Sequence, residues 1–154
     1  MKPRRFGYYL CTMHIELKRI DAPFHFEAVN DSGNTIQFDG SPEIGGQNKG
    51  VRPMQSLLMA LGGCSAIDVV SILQKQKQPI DDFQISIDGH RQQGAEPSLF
   101  EQIHIIYKLS GAIEPAKARR AVELSMDKYC SVAKTLEKTA TITWEVQLNN
   151  ETLA

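Results

Sequence analysis

Two cysteines are the residues whose chemistry could matter most. Cys64 sits in Leu61-Gly62-Gly63-Cys64-Ser65-Ala66, and Cys130 sits in Tyr129-Cys130-Ser131-Val132. A thiolate is a nucleophile, and two thiols brought together can be oxidised to a disulfide and reduced again by exchange. A free cysteine within an apolar helix is more often a small core residue. Around Cys64, however, small residues on both sides leave room at the sulfur where a well-filled core would place bulk. Cys130 falls at the end of a second predicted helix, just before a Ser131 cap, where backbone N–H groups could favour a thiolate. Taken alone, Cys130 would be read as buried and inert.

The other polar residues compete poorly for a role. The third cysteine is Cys11, and the three contain no C-x-x-C and no neighbouring cysteine–histidine pair. A closed tetrahedral zinc site therefore has no support in the spacing, and a metal role would need ligands that only the fold could assemble. His14, His25, His90 and His104 fall on or beside predicted strands as surface or sheet-face residues. A cysteine–histidine hydrolase or acyl transferase is accordingly the weakest reading. Asp68 follows Cys64 by one helical turn, where a carboxylate facing the same pocket would oppose a thiolate by like-charge repulsion. The preferred reading has Asp68 bonding backbone or a dimer partner. Glu123 and Asp127 read as a solvated acidic face.

The elements that must position the cysteines follow from periodicity. His14 to Ile20 and Phe24 to Val29 alternate apolar and polar residues, and Thr35 to Phe38 resumes the pattern after Asn30-Asp31-Ser32-Gly33-Asn34, predicting a β-meander with a glycine-containing turn. After the Gly/Pro-rich stretch Gly40 to Gly50, Pro53 suits the first position of a helix. From Pro53 to about Lys77 the apolar residues fall nearly all round the helical wheel, which predicts a buried central helix. Gly62-Gly63 within it would permit a close backbone approach or a kink, and Pro79 marks the stop. Phe83 to Ile87 and Ile103 to Leu109 predict a hairpin on the same sheet. Pro115 opens a helix to about Tyr129, Ser131 caps a short helix through Leu136, and Thr139 to Leu148 alternates as a final strand. The order is that of an α+β fold. Residues 13–154 are expected to form one domain, with 1–12 as an N-terminal extension carrying no functional weight.

Composition narrows the function classes. Hydrophobic residues make up 42% and charged residues 23% of the 154 residues, which are ordinary globular values. A formal charge of −1, with no basic stripe, makes nucleic acid an unlikely partner. The most apolar run, Leu57 to Leu73, is interrupted by glycines, serines and Asp68, so no membrane span is expected. The basic start lacks the apolar core of a secretory signal, and three cysteines fit a reducing compartment, so the expected location is the cytoplasm.

The run from Arg52-Pro53-Met54-Gln55 through Gly62-Gly63-Cys64, then Asp68-Val69-Val70, paired with the late Tyr129-Cys130-Ser131-Val132, resembles the OsmC/Ohr family, especially its OsmC-like branch. The resemblance covers about Met13 to Leu148. It implies an intertwined homodimer in which two sheets wrap long central helices, with sites at the subunit interface. It further implies that Cys64 is the peroxidatic nucleophile and Cys130 the resolving thiol, that organic hydroperoxides are substrates, and that an external dithiol, of lipoyl type in the studied branches, is the reductant. No haem, metal or other cofactor is implied. One departure matters. Where better-studied members carry a glutamate in the helix's first turn that acts with an arginine on the nucleophile, this chain reads Met54-Gln55, and Gln55 carries no charge. Gln55 and Arg52 are the supporting candidates. The uncharged turn favours an alternative function, an OsmC-like dimer that binds a small apolar or thiol-bearing ligand without reducing peroxide.

Overall fold

The computed structural model describes residues 12–153. The N-terminal extension, apart from Thr12, and Cys11 with it, lies outside the described residues. The chain divides into two compact units, one ending at Ser56 and the other beginning at Leu57.

In the first unit, β1 (Ile15–Asp21), β2 (His25–Asn30) and β3 (Thr35–Phe38) form an antiparallel sheet in the order β1-β2-β3, as the alternation predicts. The β2–β3 turn closes because the Asn30 side-chain oxygen accepts the N–H groups of Ser32 and Asn34, at 3.0 and 2.9 Å, while Gly33 takes a φ of +80°. That left-handed backbone is open to glycine without steric penalty. After β3 the loop is gathered by the Asp39 carboxylate, which accepts the N–H groups of Gly40, Gln47 and Lys49 at 2.7 to 3.0 Å. These bonds hold the Asp39 carboxyl below its usual range, the Lys49 N–H contributing most.

Helix α1 (Pro53–Lys75) carries the chain across the boundary between the units. Its start follows the capping-box logic, in which a side chain in the first turn reaches back to the cap residue's N–H. Here Gln55 Oε1 accepts the Arg52 N–H at 3.0 Å. The expectation of burial all round is corrected. Only Leu61, Ser65, Val69 and Leu73 are buried, a stripe at four-residue spacing, whereas Leu57, Met59 and Ile67 are 38%, 53% and 73% exposed. A helix apolar on every side has more apolar surface than one sheet can cover. The interruptions in the apolar run are weaker than the sequence reading takes them to be. α1 is long and apolar enough to cross a bilayer, with a mean hydropathy of 1.9 over 18 residues, because its glycines and serines interrupt the run without making it polar.

The second unit holds a four-stranded sheet, β4 (Asp82–Arg91), β5 (Phe100–Ser110), β6 (Thr141–Leu148) and β7 (Glu151–Thr152), in that order. The β4–β5 hairpin is antiparallel as predicted, but it belongs to this separate sheet and not to that of β1–β3. β6 pairs parallel to β5, so the intervening chain must cross over, and it does so through α2 (Pro115–Leu124), a π-helical turn (Ser125–Tyr129) and α3 (Ser131–Leu136). Ile103, Ile105, Tyr107 and Leu109 of β5 all point into the core at period two. α1 lies close on β4. A Cβ at Gly89 would stand 2.9 Å from a Leu58 methyl, and one at Gly62 would stand 3.0 Å from the Ile87 Cδ1. Gly63 faces open space, so of the two adjacent glycines only Gly62 serves a close approach.

Candidate functional site

The fold brings Cys64 and Cys130 together, with Asp68 as a third member. One ligand atom from each, the two sulfurs and a carboxylate oxygen, all lie within 4.8 Å of one another. α1 supplies Cys64 and Asp68 from one face, since residues four apart on a helix are neighbours. Among the described residues no backbone N–H of this chain donates to the carboxylate. It accepts a hydrogen bond from the Ser125 hydroxyl at 3.0 Å.

Cys130 reaches this point because the helix containing Ser125 changes its winding. The Cys130 N–H donates to the Ser125 carbonyl at 2.8 Å, the i to i+5 bond of a π turn, a distortion frequent at functional sites. The chain then leaves the helical conformation at Cys130, whose φ and ψ are −70° and 100°, and re-enters it as α3. Cys130 itself, not Ser131, is the N-cap of that helix, and its sulfur accepts the Ala133 N–H at 3.4 Å. A capping residue needs a side-chain acceptor at this position, and here a sulfur fills it.

The two thiols differ in setting. Cys64 is half-buried and meets solvent, whereas Cys130 is fully buried. The expectation that backbone N–H groups would favour a Cys130 thiolate is reversed in balance. Burial pushes its pKa up to about 11, interaction with the Cys64 sulfur adds to the rise, and the Ala133 and Val132 N–H groups only partly offset it. Tyr107 of β5 completes the surroundings. It is fully buried, its hydroxyl donates to the Met126 sulfur at 3.2 Å, and burial pushes its pKa up to about 12, with smaller contributions from Cys130, Asp68 and Cys64.

Arg52 and Gln55 lie in the unit that ends at Ser56, and their polar groups are used locally. Gln55 caps α1, as described. The Arg52 guanidinium donates to the carbonyls of Asp39 and Gly50, at 3.3 and 3.2 Å, and to the Asn48 side chain at 3.0 Å. Within the second unit, His104 bonds Thr143 Oγ1 at 2.8 Å. Ser125 and Tyr107 were missed by sequence reasoning. Tyr107 had only strand alternation to mark it, and no local signal announces the π turn that aims Ser125 at Asp68.

A family model described as OsmC-like protein matches residues 46–145, a span that includes both cysteines. The chain belongs to the OsmC-like family. The Escherichia coli K12 protein YhfA is 45% identical over 119 residues, covering 77% of this chain and 85% of YhfA. The crystal structure of a hypothetical protein from Aquifex aeolicus superposes with a TM-score of 0.74 at 32% identity, covering 90% of this chain and 98% of that one. An organic hydroperoxide resistance protein OsmC from Legionella pneumophila has a TM-score of 0.68 at 13% identity, covering 90% and 98%, and it shares the fold. The α+β OsmC-like fold, with its long helix and two sheets, is thus the architecture of this chain.

Proposed function

We propose that the protein is a thiol-dependent peroxidase that reduces organic hydroperoxides, in oxidative-stress defence in the cytoplasm. Cys64 is the attacking thiol and Cys130 the resolving one. The observation that carries this reading is the pairing of a solvent-reachable sulfur with a buried sulfur inside 4.8 Å. A nucleophile must meet its substrate, and a resolving thiol must wait beside it, protonated and protected.

The Cys64 thiolate attacks the distal peroxide oxygen, the O–O bond breaks, and the alcohol leaves with a proton while Cys64 becomes a sulfenic acid. Cys130 then forms the S–S bond, and water departs with the sulfenic hydroxyl and the Cys130 proton. Exchange with an external dithiol, of lipoyl type, delivers two electrons and two protons, restores both thiols and releases the reductant as its own disulfide. The Legionella relative, described as an organic hydroperoxide resistance protein, supports the substrate class.

The same reading has the chain working as a homodimer. The exposed apolar residues Leu57, Met59 and Ile67 of α1 are surface that a second copy would cover. The decisive experiment is consumption of cumene hydroperoxide with a dithiol as reductant. Cys64→Ser should fall to the uncatalysed rate, and consumption at the wild-type rate would reject the assignment.

The alternative, a dimer that binds a small apolar or thiol-bearing ligand, is favoured by one feature. Leu17, Phe24, Phe26, Phe38, Ile44 and Pro53 line a cavity of about 450 Å³ in the first unit, a size that suits a small apolar ligand. Saturable quenching or enhancement of an apolar fluorophore, together with absent peroxide turnover, would favour it.

A further inference from the structure

We propose that the reduced Cys64–Asp68–Cys130 cluster binds one zinc-class divalent cation, held by two thiolates and one carboxylate with the fourth position open. In a tetrahedral site with bonds of about 2.3 Å to sulfur and about 2.1 Å to oxygen, the two sulfurs stand about 3.8 Å apart and each stands about 3.6 Å from the oxygen. The three atoms already lie within 4.8 Å of one another, so contraction of about 1 Å by side-chain rotation completes the site. Cys64 and Asp68 come from one turn of α1, and Cys130 comes from the start of α3.

Three further observations support a cation. Asp68 is oriented by the Ser125 hydroxyl, the kind of outer partner that holds a metal-binding carboxylate in place. Among the described residues no cationic side chain forms an ion pair with Asp68. Cys64 and Asp68 are only half-buried, which gives an aqueous ion a route in. Two thiolates select soft or borderline metals over magnesium or calcium. Binding exchanges protons for metal: the cation enters, both thiols release their protons, and the occupied site carries one negative charge.

Binding does not depend on peroxide chemistry, although a cation and a hydroperoxide would compete for the same sulfurs. The test uses reduced full-length protein in a Cys11→Ser background, titrated anaerobically with Co(II). One ion per chain should bind with a thiolate-to-cobalt charge-transfer band and tetrahedral visible bands, and Zn(II) should displace it. Competition with a chromogenic chelator then gives Zn(II) affinity. Ser125→Ala should weaken it by about 10- to 100-fold, and Asp68→Asn by at least as much. Cys64→Ser should lose the site, as should protein whose thiols have been blocked with iodoacetamide. Because Cys130 is buried, the comparison rests on Cys64→Ser and Asp68→Asn, with circular dichroism verifying their fold. Absence of the charge-transfer band, or Zn(II) binding unchanged in Cys64→Ser or in blocked protein, would overturn the proposal. The titrations contain no peroxide and the peroxidase assay is run with chelator, so either idea can fail without the other.

Discussion

Cys64 sits within a continuous helix and meets solvent, whereas Cys130 sits at a break between a π turn and α3, sealed from solvent and holding the Ala133 N–H. The residue type is the same, so the difference between the two comes entirely from their surroundings. Exposure makes the first sulfur available to a bimolecular reaction. Burial keeps the second protonated, since a thiolate loses its hydration there. A division of labour between identical thiols can therefore be set by backbone geometry and solvent access alone.

Differential alkylation of the native reduced protein probes the contrast between the two thiols most directly. Iodoacetamide at neutral pH should modify Cys64 at least about 100-fold faster than Cys130, since the buried thiol reacts only when thiolate and accessible. Peptide mass spectrometry reads both rates, and in denaturant they should converge. Equal rates in the native protein would erase the distinction.

Replacing the buried sulfur should then show what its setting is worth. Cys130→Ser exchanges a thiol that accepts Ala133's N–H for a smaller, more polar hydroxyl in a closed space. Its stability in a denaturant titration should fall by about 1–3 kcal/mol. In the peroxidase assay the same variant should complete one turnover and then accumulate sulfinic acid at Cys64, seen as two added oxygens on that peptide. The matching Cys64→Ser change, on the half-exposed side, should cost less stability.

The buried thiol also predicts a pH dependence with a definite sign. Its pKa is raised from 9.0 to about 11 in the folded protein, so above pH 9 the unfolded chain releases a proton that the folded chain retains. Stability from this group is therefore fully present below about pH 9 and is lost as pH climbs towards about 11. Tyr107, raised from 10.0 to about 12, acts in the same direction at slightly higher pH. Denaturation midpoints measured from pH 8 to 11 should decline, and Cys130→Ala should flatten the first part of that decline.

The smallest effect tests the ground on which Cys64 stands. Gly63→Ala meets open space and should stabilise α1 by about 1 kcal/mol through helix propensity. Gly62→Ala must displace the Ile87 methyl and should gain less. Paired thermal melts at one protein concentration measure the difference, and equal gains would show that Ile87 yields freely.

Much of this organisation was legible in the residues themselves. Alternation located β1, β2 and β3 to within a residue or two, Pro53 and Pro115 marked the helix starts, and the four-residue spacing of Cys64 and Asp68 put them on one helical face. These are local properties, written in the steric preferences of neighbouring residues and in periods of 2.0 and 3.6. Tertiary structure decided the rest. It placed the β4–β5 hairpin in a second sheet, paired β6 parallel to β5, left much of α1 uncovered, made Cys130 a cap in place of Ser131, and joined Asp68 to Ser125 and both sulfurs. Each of those depends on which distant surfaces meet, and no local pattern encodes the partner. Local propensity determined where the chain coils or extends; only closure of the crossover determined that two separated sulfurs share one crevice.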